Sequence, residues 1–262
     1  MFGAIIGDII GSTREFQKNK TKDFELFPDG SDFTDDTVLT IATADAILNK
    51  RNYGDVYKEY ALKYPNRGYG GSFYKWILDT NSEPYNSFGN GSAMRVSPIG
   101  WAFDTLEKVL EEAKKSAEVT HNHPEGIKGA QAVASAVFLA RTGSSKEKIR
   151  DYLKSTFQYD LDRSVDEIRL RCTGDCSCIK SVPEAIICFL ESESFEDAIR
   201  NAISLGGDAD TQACITGSIA EAFYGDIPEN IKAKATLYLP EDFMDMIKKV
   251  EEILKKKEIP KS

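Results

Sequence analysis

At 262 residues the chain is long enough for one large core, and 41% hydrophobic with 29% charged residues is the balance of an ordinary soluble globular protein. A net charge of -9 argues against a groove that grips polymeric nucleic acid by neutralising phosphates. An anionic small ligand stays open, provided that metals, helix N-termini and backbone amides supply the positive potential.

Along the chain, Gly3, Ala4, Gly7 and Gly11 punctuate an apolar start that Asp8 interrupts. That early acid and the lack of a basic leader argue against a signal peptide. No run approaches the roughly 18 apolar residues of a membrane span, so a cytoplasmic, monomeric protein is the expectation. Small residues in the first helix would let backbones approach closely and gather helix ends around a central site. Residues 34–49 predict a helix, with Val38, Leu39, Ile41, Ala42, Ala46 and Leu48 at helical spacing and Thr34 as N-cap. Asp104 with Glu107 opens a second helix, and Pro124 opens a third that runs through Ala130, Val133, Ala134, Val137 and Phe138. Ser164 with Glu167, and Ser181 with Glu184, have the capping-box form, and Pro183 fits a first-turn position. A helix over 195–205 stops at Gly206, and others are expected at 209–224, 228–238 and 240–256. Loops at 12–33, 65–100 and 119–124 carry the Gly, Asn, Ser and Pro content of ligand-binding connections. Period-2 alternation, linkers and repeats are absent. The reading is all-α: a compact single-domain helical bundle over 1–262.

Two remote acidic clusters carry the chemistry. Thr34-Asp35-Asp36-Thr37 opens one predicted helix, and Gly206-Gly207-Asp208-Ala209-Asp210-Thr211 opens another. Either cluster alone is equally well explained as a helix cap, since acids suit the positive end of a helix dipole. Together they suggest carboxylates that would repel unless hard divalent cations sat between them. Gly89-Asn90-Gly91-Ser92-Ala93-Met94-Arg95 could present successive amides to a diphosphate, although Asn-Gly is also a common turn; Arg67–Ser72 is a second such loop. Arg95 could meet a phosphate or form an internal salt bridge. His121 and His123 precede a helix, and beside so many hard oxygen donors a packing or ligand-bonding role suits them better than metal ligation. Cys172, Cys176 and Cys178 lack the paired spacing of a zinc ribbon and read as plain thiols.

The ordered series Gly3–Ser12, Phe33–Thr37, Gly89–Arg95, Thr120–Pro124 and Gly206–Thr211, with Ser181–Ile186 in support, resembles the ADP-ribosylglycohydrolase family over residues 2–240. The resemblance implies a binuclear Mg2+ centre (Mn2+ is the alternative) in a cleft of an all-α fold. Carried over residue by residue, its metal ligands are Thr34, Asp35, Asp36, Asp208, Asp210 and Thr211. Glu15, seven positions after Asp8, takes the place of a catalytic acid/base on an acidic lid. The ligand should lie along Gly89, Asn90, Gly91, Ser92 and Met94, with Gly70, Gly71 and His121 nearby. Asp35, Asp36 or Asp210 would accept a proton from water while Glu15 assists the leaving group.

The activity implied is metal-dependent cleavage of the glycosidic bond at C1″ of an ADP-ribosyl group. Two rivals are a non-catalytic ADP-ribose-binding or structural protein on the same fold, and a metal-dependent hydrolase of another nucleotide. Intact acids and hydroxyls at all six ligand positions favour the hydrolase.

Overall fold

The computed structural model describes residues 1–17 and 20–258. The helices are α1 (Phe2–Gly11), α2 (Asp35–Leu48), α3 (Tyr53–Lys63), α4 (Gly71–Leu78), α5 (Gly91–Met94), α6 (Ser97–Ala102), α7 (Leu106–Glu118) and α8 (Pro124–Arg141). They continue with α9 (Lys146–Phe157), α10 (Val165–Arg171), α11 (Cys178–Leu190), α12 (Phe195–Ser204), α13 (Ala209–Tyr224), α14 (Glu229–Thr236) and α15 (Glu241–Glu258). Among the described residues no strand forms, and one isolated antiparallel bridge pairs Gly89 with Ser177. No helix there is long and apolar enough to cross a membrane.

The hub is α13, which packs against α1, α8, α11 and α12. After the polar first turn its residues are small or apolar on every side, and the helix is buried all round from Ala209 to Ala220. Every residue of α1 is buried as well. The two helices touch backbone to backbone because α1 presents glycine at each turn of the shared face. A β-carbon at Gly3 would stand 2.4 Å from the Gly217 carbonyl oxygen, and one at Gly7 would stand 2.1 Å from that of Ala213. The first turn of α1 has no side-chain N-cap. Glu221 of α13 takes that role, accepting hydrogen bonds from the amides of Phe2 (3.1 Å) and Gly3 (2.9 Å) and from the Met1 ammonium. Small residues thus bring the C-terminal end of α1 to the N-terminal end of α13.

The expected helices at 34–49, 195–205, 209–224, 228–238 and 240–256 all form, within two residues at most ends. Ser164 and Glu167 make the full reciprocal capping box. Three expectations need correction. The helix expected from Asp104 begins at Leu106, capped by Thr105, whose side chain accepts from the Lys108 amide. Ser181 and Glu184 make no capping box: α11 is already under way at Cys178, with Pro183 inside it. Its start is fixed by tertiary pairing, the Cys178 amide donating to the Phe88 carbonyl at 2.8 Å beside the Gly89–Ser177 bridge. The 65–100 segment is also more than loop, since α4 and α5 lie in it and α6 begins in it.

Candidate active site

Asp8 organises the first acidic cluster from beneath. Its side chain is fully buried and accepts hydrogen bonds from the Thr34 amide (2.9 Å), the Thr34 hydroxyl (2.7 Å), the Thr37 amide (3.0 Å) and the Thr37 hydroxyl. Two of these donors are backbone N–H groups of the α2 N-terminus, which have no partner within the helix. Asp8 therefore locks the Thr34–Thr37 turn in place with both oxygens engaged, and Asp35 and Asp36 border a cavity above it. The Thr34 hydroxyl proton is committed to Asp8 and its oxygen accepts the N-cap bond from the Asp36 amide at 3.3 Å, which leaves one lone pair as a neutral ligand.

The second cluster arrives on the first turn of α13. Gly206 and Gly207 both have positive φ (+74° and +73°), a conformation that suits glycine. A β-carbon on Gly207 would lie 2.5 Å from the Cα of Gly174, so the residue must be small as well as left-handed. Asn90 donates to Asp208 at 2.7 Å and to Ser181 at 3.0 Å, which orients the Asp208 carboxylate. The Thr211 hydroxyl donates to Asp36 at 3.2 Å, joining the two clusters directly. Oxygens of Asp8, Asp36 and Asp210 lie within 4.8 Å of one another, as do those of Glu15, Asp208 and Asp210.

So many carboxylates in one place cannot all stay ionised on their own. Burial, then Asp8 and Asp35, push Asp36 well above the usual carboxylate range. Burial, then Asp8 and Asp208, do the same to Asp35, and burial, then Asp36 and Asp208, to Asp210. One atom marks the need for a counter-charge most clearly. Asp36 is 1% exposed, and its Oδ1 has no hydrogen-bond partner. A buried carboxylate oxygen left bare is costly, and a hard cation would satisfy it. The donor set is all oxygen, of the kind Mg2+ and Mn2+ take.

Glu15 overhangs this cluster on the turn that follows α1. The turn is held by the Arg14 amide on the Gly11 carbonyl (2.7 Å) and the Phe16 amide on the Gly207 carbonyl (2.6 Å), with Phe16 left-handed at φ +53°. Partial burial, then the charges of Asp208 and Asp8, raise the Glu15 carboxyl above its ordinary range.

A cavity of about 380 Å³ opens over both clusters. Glu15, Thr34, Asp35, Asp36, Gly70, Gly71, Gly89, Asn90, Gly91, Met94, His121, Asp208, Asp210 and Thr211 all line it. Ser92 stands apart: it is fully buried and its hydroxyl donates to the Gly126 carbonyl at 2.7 Å. The Asn90 side chain is spent on Asp208 and Ser181, and the amides of Gly89 and Asn90 donate to the Ser87 hydroxyl (3.2 Å) and the Cys176 carbonyl (2.8 Å), which leaves the Gly91 amide as the backbone donor of this stretch. Arg95 is fully buried and forms no salt bridge; its partners are the Ser116 carbonyl and the Thr120 hydroxyl, both at 2.8 Å, and the face of Tyr57. Five lining residues escaped the sequence reading of the site: Leu39, Phe73, Tyr85, Ser87 and Cys176. Tyr85 sits in a loop with no motif around it, and Cys176 reads as an ordinary thiol until folding sets it beside Asp208. There burial and Asp208 raise its thiol far above the usual range, which keeps it protonated.

Comparison with known proteins agrees with this geometry. Residues 1–258 match the model of the ADP-ribosylglycohydrolase family. ADP-ribosylhydrolase ARH3 of Homo sapiens is 29% identical, the match covering 92% of this chain and 89% of that protein. ARH3 of Mus musculus is 30% identical over 76% of this chain and 71% of its own, and ADP-ribosylarginine hydrolase Tri1 of Pseudomonas putida is 25% identical over 86% and 69%. A solved ADP-ribosylglycohydrolase-related protein complex shares the fold, with a TM-score of 0.69 at 23% identity over 90% of this chain and 94% of that one. The chain belongs to the ADP-ribosylglycohydrolase family and is a hydrolase.

Proposed function

We propose that this hydrolase cleaves the glycosidic bond at C1″ of an ADP-ribosyl group, with two Mg2+ ions (or Mn2+) held by Thr34, Asp35, Asp36, Asp208, Asp210 and Thr211. The observation that carries the reading is the bare, buried Oδ1 of Asp36 at the meeting point of the two acidic turns. Relatives named as hydrolases of ADP-ribosyl groups support the substrate class.

When bound, the cations would orient the ribose hydroxyls and acidify a water molecule. The protein's own groups do the rest. Asp8 and Asn90 hold the acidic turns in register. One of Asp35, Asp36 or Asp210 takes the proton that the water gives up. Glu15, whose raised pKa suits an acid, assists departure of the acceptor from the lid beside Asp208 and Asp210. Positive charge developing on the sugar during bond cleavage is stabilised by the surrounding carboxylates. The diphosphate lies along Gly89–Gly91, where the Gly91 amide and His121 are the available donors, the amides of Gly89 and Asn90 being engaged by the Ser87 hydroxyl and the Cys176 carbonyl. Residues 1–262 act as one domain in this reading. The test is a side-by-side assay of ADP-ribosyl-arginine, ADP-ribosyl-serine, O-acetyl-ADP-ribose and ADP-ribosylated nucleic acid bases with Mg2+ present. Release of ADP-ribose from at least one supports the reading, and inertness toward all four refutes it.

A further inference from the structure

Behind His121 the floor of the cavity holds two residues that the reaction scheme above leaves unused, Arg95 and Thr120. Arg95 Nη2 donates to Thr120 Oγ1 at 2.8 Å, and Thr120 Oγ1 lies 2.8 Å from His121 Nδ1. All three residues are at most 5% exposed. Arg95 can only donate, so one lone pair of the Thr120 hydroxyl is occupied. The hydroxyl has a single proton to give. The Tyr85 phenol oxygen competes for that proton, but His121 Nδ1 is the stronger acceptor, because an imidazole nitrogen is far more basic than a phenol oxygen. With Nδ1 accepting, the proton of a neutral imidazole must sit on Nε2. That nitrogen faces the Gly89–Gly91 turn: β-carbons built at Gly91 and Gly89 would stand 3.1 and 3.8 Å from it. Among the described residues Nε2 makes no hydrogen bond with the protein.

We propose that Arg95 and Thr120 are positioning residues that fix His121 as its Nε2–H tautomer, so that the ring presents a donor, never an acceptor, to an anionic ligand group lying along Gly89–Gly91. Burial and the Arg95 charge also push His121 well below the usual imidazole range, which keeps the ring neutral and the tautomer meaningful. The arrangement turns a buried cation into directed hydrogen-bond polarity. The guanidinium stays beneath the floor, stacked on Tyr57, while its polarity is passed through two groups to the ligand. The identity of the anion as a diphosphate rests on the proposed function, but the tautomer does not.

The protein has only two histidines, His121 and His123, so nitrogen-15 labelling of histidine resolves the question in the full chain. A His123→Asn sample assigns the two rings. Nδ1 of His121 should resonate as an unprotonated, pyridine-type nitrogen and Nε2 as a protonated, pyrrole-type one. Thr120→Val should lose that fixed pattern and raise KM by about tenfold, more than it lowers kcat, while Thr120→Ser should restore both. A protonated Nδ1 or a doubly protonated ring at pH 7 in the unaltered protein overturns the proposal. So does a Thr120→Val spectrum identical to that of the unaltered chain. If the tautomer is as stated but ADP-ribose fails to bind the unaltered chain, the functional reading falls and the tautomer assignment stands.

Discussion

A β-carbon placed on Gly11 would lie 2.4 Å from the Cα of Asp210. The last residue of α1 thus supports the backbone that carries one of the central acids. The same close approach runs back along α1 to Gly7 and Gly3, so the site is held by backbone contact between α1 and α13. Gly7→Ala, which puts a methyl into the Ala213 carbonyl, should cost about 3 kcal/mol in urea-induced unfolding. Gly70→Ala, whose new methyl meets nothing within 4 Å, should stay within about 0.5 kcal/mol.

Asp8→Asn tests the support under the first acidic turn. The substitution exchanges an acceptor for an N–H group that faces the donors of Thr34 and Thr37. Unfolding free energy should drop by about 2–3 kcal/mol, and the thermal stabilisation given by added Mg2+ should shrink, because the turn loosens and an Asp8 oxygen lies within 4.8 Å of those of Asp36 and Asp210. Unchanged stability and an unchanged Mg2+ response would show that the four hydrogen bonds do not hold the turn.

How much of this was legible beforehand follows from where each signal resides. The acids of both clusters, the small residues of α1 and the box at Ser164–Glu167 are local in sequence, and each formed where expected. Ser181–Glu184 matched the same box pattern and made none, because the Gly89–Ser177 pairing starts α11 earlier than any local signal shows. Tyr85 and Cys176 reach the cavity through loop paths that no period or motif encodes. The direction of the Ser92 side chain, inward to Gly126, likewise depends on a helix 34 residues away in sequence.

His121 gives the fold an acid-side weakness. Burial and Arg95 hold its pKa well below the unfolded value of about 6.5. The neutral ring is favoured in the folded state, so its contribution is fully present above that value and is lost as pH falls through it. The slope is at most about 1.4 kcal/mol per pH unit. The stability difference between the unaltered chain and His121→Gln, measured at pH 7.5 and pH 5.0, should move in favour of the variant at the lower pH. A difference that does not change with pH would mean that the imidazole is free to take up a proton.

Glu15→Gln keeps the shape of the lid and removes its proton. With the turn held by backbone bonds to Gly11 and Gly207, melting temperature should hardly move while kcat falls by about 10²- to 10⁴-fold. Near-normal kcat in this variant would remove Glu15 from the chemistry.

The central claim is that two remote helix starts jointly hold the cations on which hydrolysis depends. It is tested most directly by ADP-ribose release from chelator-stripped protein as Mg2+ is added back, comparing the unaltered chain with Asp36→Ala and Asp210→Ala. Stripping should abolish turnover, added Mg2+ should restore it in the unaltered chain, and neither variant should recover. Full turnover by stripped Asp36→Ala would contradict the account.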